Sequence, residues 1–266
     1  MIEAGPAEFL VEFVAGFAAG VFAGITGAGG GILLVPIMVW LGFPALAATA
    51  TSNVAISLSA ASGTWTNTRR FALPWRRVLV LAVPAMLFAP AGVLLSRRLP
   101  ETALLLAFAG FNFVAIGLLE VRQRSVEPAG ADATAGSDIG GALAPVAPAP
   151  VIATGAGGGL LAGLFGVGGG LIMVPLQTLA LSTPVRLASR ISLAVVLFAS
   201  VSAVASHVVS GGDVRWSTGF IIAAGGLFGA PIGARFLHRL TDHQSTRIIQ
   251  VTMLLVATSF VWRALG

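Results

Sequence analysis

Long apolar runs separated by short polar joints dominate this chain. They fall at about 9–26, 28–43, 44–66, 78–96 and 102–120, and again at 151–166, 168–182, 187–209, 217–237 and 246–265. Runs of this length and apolarity predict helices made for a bilayer. The alternating ten-residue segments of a transmembrane β-barrel are not seen. The last three runs of each set of five are long enough to span. The second of each set, at 15–16 residues, gives about 23 Å of helix, short of a hydrocarbon core of about 30 Å. The first two runs of each set therefore form either two short tilted helices or a re-entrant hairpin meeting at the glycines between them.

Those glycines reveal a duplication. "AGITGAGGGILLVP" at 23–36 aligns with "AGLFGVGGGLIMVP" at 162–175, an offset of 139 residues. Gly20, Gly24, Gly27, Gly29, Gly30, Gly31 and Pro36 match Gly159, Gly163, Gly166, Gly168, Gly169, Gly170 and Pro175. With small slips the match continues through Ala48-Thr49 and Ser52 against Ala188-Ser189 and Ser192, then Pro90 and Gly92 against Pro231 and Gly233. The expected organisation is a first membrane repeat at 1–121, a flexible linker at 122–150 and a second repeat at 151–266. The linker is rich in Ala, Gly and Pro, as in "SVEPAGADATAGSDIGGALAPVAPAP", and poor in the large apolar residues a core needs.

Either form of the short segments leaves an odd number of crossings per half, three or five. An odd repeat is inverted relative to its twin. The arginines test this independently, because cytoplasmic loops collect positive charge. Arg69, Arg70, Arg76 and Arg77 follow the third run of the first half, whereas only Arg215 follows its counterpart. The bias reverses after the fourth run: Arg97 and Arg98 against Arg235, Arg239 and Arg247. Placing 69–77 in the cytoplasm puts the linker inside, both termini outside, and eleven of the fifteen arginines toward the cytoplasm. The expected location is the bacterial cytoplasmic (inner) membrane.

Composition narrows the function. Hydrophobic residues make up 56% and charged residues 9%, against about 25% charged in an average globular protein. Cysteine is absent and the three histidines are scattered, so disulfides, thiolate chemistry and a metal cluster are not expected, and no cofactor is implied. A net charge of +5 could suggest nucleic acid, but the arginines sit between apolar runs as topology determinants do. The N-terminus carries Glu3, Glu8 and Glu12 without a basic stretch, so a cleavable signal peptide is not expected.

The glycines split into two kinds. Gly16, Gly20 and Gly24, with Gly159 and Gly163, are spaced for close helix packing. Gly27, Gly29, Gly30 and Gly31, with Gly166, Gly168, Gly169 and Gly170, point around the helix instead and predict a backbone break. Irregular backbone at membrane depth survives only beside protein or a water-filled cavity. The helix that starts after each break presents free N–H groups and a positive dipole end, which suits an anion. No acidic residue lies deep in a run except Glu12, so a cation would find few carboxylates. Thr51, Ser52 and Asn53, with Ser189, Arg190 and Ser192 at the related places, offer polar groups. Arg190 either strengthens anion binding or marks the cytoplasmic interface. Asn67 and His207 end the third run of each half, and His207 is a candidate for proton coupling; the plainer reading is a helix-end histidine bonded to a carbonyl.

The duplicated G-x3-G-x2-G-x-G-G-G-x4-P block, "GVFAGITGAGGGILLVP" and "GLLAGLFGVGGGLIMVP", resembles the TauE/SafE family of sulfite exporters and related sulfonate or sulfoacetate permeases. The "ATATSN" stretch, "SHVVSGGDVRW" and "GGLFGAPIGARFLHRL" carry the resemblance over nearly the whole chain. "ASRIS" at 188–192 departs from it, with Arg190 where the family usually has a small residue. The resemblance implies a transporter of small sulfur-containing or organic anions, not an enzyme. The expected reading is an all-α polytopic membrane protein of two inverted repeats, moving a small anion by alternating access. An anion channel of the same architecture is the alternative. An intramembrane hydrolase using a serine and His207 lacks both a G-x-S-x-G element and a placed acid. Oligomeric state is left open, a homodimer among the options.

Overall fold

The computed structural model describes residues 6–26, 31–125, 148–237 and 242–265. Among them ten helices follow in order: α1 (Pro6–Thr26), α2 (Gly31–Trp40), α3 (Ala45–Arg70), α4 (Trp75–Arg98), α5 (Glu101–Ser125), α6 (Pro148–Phe165), α7 (Gly170–Ala180), α8 (Val185–Val209), α9 (Trp216–Leu237) and α10 (Asp242–Leu265). Each predicted run holds one helix, and no strand occurs among the described residues. Most of the linker, 126–147, lies outside the described residues, as do Gly27, Gly29 and Gly30.

The shortening falls on the second helix of each half. α1 and α6 have 21 and 18 residues, about 31 and 27 Å, whereas α2 and α7 have 10 and 11, about 15 and 17 Å. Among the described residues, six helices are long and apolar enough to cross a membrane: α4, α5, α6, α8, α9 and α10. The 26-residue α3 is long enough too, but its Thr, Ser and Asn residues lower its apolarity. It can carry them because residues 47–56 are all buried. Leu87, Val114, Phe228 and Leu255 on α4, α5, α9 and α10 are instead more than 60% exposed. Large apolar side chains facing outward from long helices mark lipid as the solvent. This is an all-α polytopic integral membrane protein.

Small residues decide which helices touch. α1 lies along α9, and α4 along α6. A Cβ added at Gly16 would strike the backbone of Ile222, and one at Gly20 the backbone of Gly226. In the other half, a Cβ at Gly155 would strike Leu81 O, at Gly159 the backbone of Ala85, and at Gly163 Ala89 O. Gly225, Gly229 and Gly92 return the contact from the facing helices. Backbones this close are what the four-residue glycine spacing provides. The main contacts recur with the two halves exchanged: α1–α9 with α6–α4, α3–α9 with α8–α4, α2–α3 with α7–α8, and α5–α10 and α3–α8 with themselves; the α6–α8 contact is not matched by one of similar extent between α1 and α3.

The short helix folds back on its neighbour. A Cβ at Gly169 would meet the Gly158 backbone, and one at Gly158 the Met173 methyl, so α7 returns alongside α6. Near the other end, Arg77 Nη2 donates to Leu181 O at 3.4 Å and to Thr183 Oγ1 at 3.2 Å. Val151 joins Val78, Leu81 and Leu181 in one apolar cluster. The start of α6 and the end of α7 thus lie at the same end of α4, which makes α6–α7 a hairpin. On α2, Arg263 near the end of α10 donates to Val39 O.

Candidate functional site: the glycine break between α6 and α7

α6 stops at Phe165, whose ring packs on Phe111 at 5.0 Å and Phe108 at 5.4 Å from α5. Gly166, Gly168 and Gly169 then take φ of +65°, +74° and +68°, and Gly169 caps the N-terminus of α7. Left-handed backbone disfavours any Cβ, and here space forbids one as well. At Gly166 it would lie 2.5 Å from Ser52 Oγ and 2.6 Å from Thr49 O. The break predicted from the sequence is therefore present in the second half. Of the four break glycines in the first half only Gly31 is described. A Cβ there would come within 2.6 Å of Val167 O, so the start of α2 abuts the break of the other half.

Polar groups of α3 and α8 surround this junction in different ways. Ser52 Oγ donates to Gly166 O at 2.8 Å, and Asn53 Nδ2 to Ala162 O at 3.2 Å. Ser52 thus satisfies the carbonyl just past the end of α6, while Asn53 adds to Ala162 O, which also accepts from Gly166 N at 3.0 Å. Thr51 Oγ1 accepts from the Arg215 backbone N–H at 3.2 Å and so pins the joint before α9. All three residues are fully buried. Ser192, the counterpart of Ser52, is buried too, but its hydroxyl has no hydrogen-bond partner among the described residues. It lies 3.9 Å from where a Cβ on Gly170 would sit, beside the first N–H groups of α7. Ser189 stands one turn before it on α8, half-buried.

Arg190 and the residues near the helix ends lie elsewhere. The Arg190 guanidinium stacks over the Phe71 ring at 3.5 Å, just past the end of α3. α3 and α8 therefore run antiparallel. His207 is 17 residues beyond Arg190, about 25 Å along α8, so Asn67 and His207 stand at opposite ends of the pair. His207 is fully buried, and neither ring nitrogen has a partner among the described residues. The side-chain bond to a carbonyl expected of a helix-end histidine is not made. Its backbone carbonyl instead accepts from Gly212 N at 2.7 Å. Asn67 O likewise accepts from Phe71 N at 2.8 Å to close α3.

Two further polar residues are buried away from these positions. Glu12, the exception among the acidic residues, accepts a 2.8 Å bond within α1 from Thr218 Oγ1 of α9. It lies 14 residues before the end of α1, about 21 Å of helix, so it does not bring a carboxylate to the break. Gln177 escaped the sequence reading. In the middle of the apolar α7, it is fully buried with neither amide atom bonded among the described residues. A lone amide inside "GLIMVPLQTLA" was the signal that could have found it.

A short helix set off by a glycine break, packed among long lipid-facing helices, is the arrangement around which the chain is built. A family model described as "Sulfite exporter TauE/SafE" matches residues 12–260, and the chain belongs to that family. It is 28% identical over 249 residues to a probable membrane transporter protein of Xylella fastidiosa (strain Temecula1), covering 91% of this chain and 90% of that one. It is similar to the probable membrane transporter protein YunE of Bacillus subtilis, 28% identical over 40% of this chain and 39% of that one. A probable membrane transporter protein of Methanocaldococcus jannaschii is 23% identical over 69% of this chain and 66% of its own length. No solved structure matches.

Proposed function

We propose that the chain is a secondary transporter for a small anion, held at paired glycine breaks near the membrane midplane. The observation that carries this is the division of labour at the α6–α7 break. Ser52 and Asn53 neutralise the carbonyl end of α6, while the N-terminal end of α7 faces the unpartnered hydroxyl of Ser192. A helix N-terminus with an unpartnered hydroxyl beside it favours negative charge, and the aliphatic side chains of Ile56 and Val196 pack next to it. The proposed substrate set is sulfite, sulfonates, sulfoacetate and similar anions, in line with the family's description.

The two halves are proposed to be inverted repeats. Three long helices and one hairpin per half give the odd crossing number that inversion needs. The exchanged contacts between halves support the same reading. Alternating access then consists of one half rocking against the other around the junction of Gly31 and Val167. The orientation that fits the arginines has both termini outside and the 69–77 joint inside. Gly27, Gly29, Gly30, Gly31, Gly166, Gly168, Gly169, Gly170 and Ser192 are proposed to face the anion, with Thr51, Ser52 and Asn53 positioning the backbone that does.

Flux into liposomes containing the purified protein tests this. Sulfite, sulfate, thiosulfate, sulfoacetate and short carboxylates form the panel. Saturable uptake of at least one, with counterflow, is expected. Unsaturable flux without counterflow would favour a channel, and no anion flux at all would remove the reading.

A further inference from the structure

Gln177 is a buried polar group that the reading above does not use. It lies wholly inside the protein, and neither Nε2 nor Oε1 has a hydrogen-bond partner among the described residues. Its backbone is well occupied: Gln177 O accepts from Leu181 N at 3.2 Å and Thr183 N at 3.1 Å. The side chain belongs to the stripe Met173–Gln177–Leu181, one residue per helical turn. Met173 and Leu181 pack into an apolar cluster with Val78 and Leu81 of α4 and Ile191 of α8. A carboxamide in such surroundings is disfavoured unless something pairs with it.

The fold does not demand the amide. Gln177 corresponds to Met38 in the first half, at the offset of 139, and Met38 is equally buried. The same helix in the same packing is therefore built with a methionine. The neighbouring polar groups also differ between the two halves. The Met173 methyl faces Gly158, so one turn further along the antiparallel pair Gln177 comes level with Thr154. Thr154 is buried and donates to Pro150 O at 2.7 Å, which leaves its oxygen lone pairs unused. Its counterpart is Ala15. Beyond Gln177, Thr183 accepts from Arg77 at 3.2 Å; Arg77 corresponds to Thr218.

These groups form a line. It starts at Gly170 and Ser192, passes Gln177 seven residues along α7, about 11 Å away, and ends at Thr183 and Arg77. The geometry points to a transit subsite at Gln177, level with Thr154, where the amide N–H groups bond a small oxyanion between the glycine break and the Arg77 end of the hairpin. An anion reaches the subsite when the α6–α7 hairpin parts from α4 and α8. This inference rests on the anion-transport reading above. It adds a second stop beside α7 that Met38 does not provide beside α2.

Gln177→Met, which installs the residue of the other half, tests it in the full-length protein in liposomes. Uptake of the best-carried anion and thermal unfolding are measured together. The expected result is a KM raised at least tenfold with a melting temperature equal to or above the wild type. Gln177→Glu should lose more uptake still, because a carboxylate repels the anion. Should Gln177→Met fail to assemble, Thr154→Val gives the second reading, with an expected rise in KM of threefold or more. An unchanged KM with a higher melting temperature overturns the subsite, and so does a lower Vmax at unchanged KM. If the wild type carries none of the panel, the anion reading fails by itself. The ratio of variant to wild type for whatever solute is carried then still decides whether Gln177 lies on the route.

Discussion

Replacing Gly166 by alanine should damage the break at a single atom. The residue sits at φ +65°, where a Cβ costs about 1–2 kcal/mol. The new methyl would also lie 2.5 Å from Ser52 Oγ, well inside contact distance. Ser52 must then swing away and give up its 2.8 Å bond to Gly166 O. A buried carbonyl left without its partner costs about 1–3 kcal/mol more. Together the substitution should destabilise the protein by about 2–5 kcal/mol, which for a chain of this size lowers the melting temperature by on the order of 10 °C. Gly157→Ala is the matched control. It lies in the same α6 helix, nothing comes within 4 Å of its added Cβ, and alanine in a helix interior gains up to about 1 kcal/mol. Thermal unfolding of both purified variants in detergent, with transport measured in parallel, makes the comparison. A Gly166→Ala protein as stable as Gly157→Ala would refute the account of the break.

Three further outcomes are expected. Ser192→Ala removes a hydroxyl that bonds nothing among the described residues, so it should leave the melting temperature within about 2 °C while raising KM for the carried anion; equal KM values would count against the site. Gly159→Leu drives a side chain into the Ala85 backbone and should abolish assembled protein on size-exclusion chromatography, whereas Gly117→Leu, with open space around it, should elute as the wild type. The absence of cysteine makes single-cysteine labelling clean: in intact cells an impermeant maleimide should label Trp262→Cys and spare Arg76→Cys, and the opposite pattern would reverse the proposed orientation.

Much of the scaffold was legible in the sequence because the signals are coarse. Helix positions follow from apolar runs, and the Gly16–Gly20 and Gly159–Gly163 contacts follow from four-residue spacing. The same spacing could not say which helix would approach. That α1 meets α9, and α6 meets α4, is a property of how the two halves interlock, which no local pattern records. The break itself was readable because three adjacent glycines suit no helix face. The roles of the hydroxyls around it were not. Ser52 and Ser192 are equivalent in sequence, yet one bonds the end of α6 and the other is left open. Arg190 could be read two ways from its neighbours, and only its stacking on Phe71 places it past the end of α3. Gln177 was passed over because one amide in an otherwise apolar helix breaks no pattern and its counterpart is a methionine.

The central claim is that an anion sits at the start of α7 beside Ser192. Anomalous diffraction from crystals grown with selenate, or with the selenium analogue of whichever oxyanion the flux assay ranks first, tests it most directly. The account predicts one strong selenium peak within hydrogen-bond reach of the Gly170 backbone N–H and Ser192 Oγ, lost in Gly170→Val. A peak elsewhere in the protein, at concentrations that saturate transport, with none at this helix start, would contradict it.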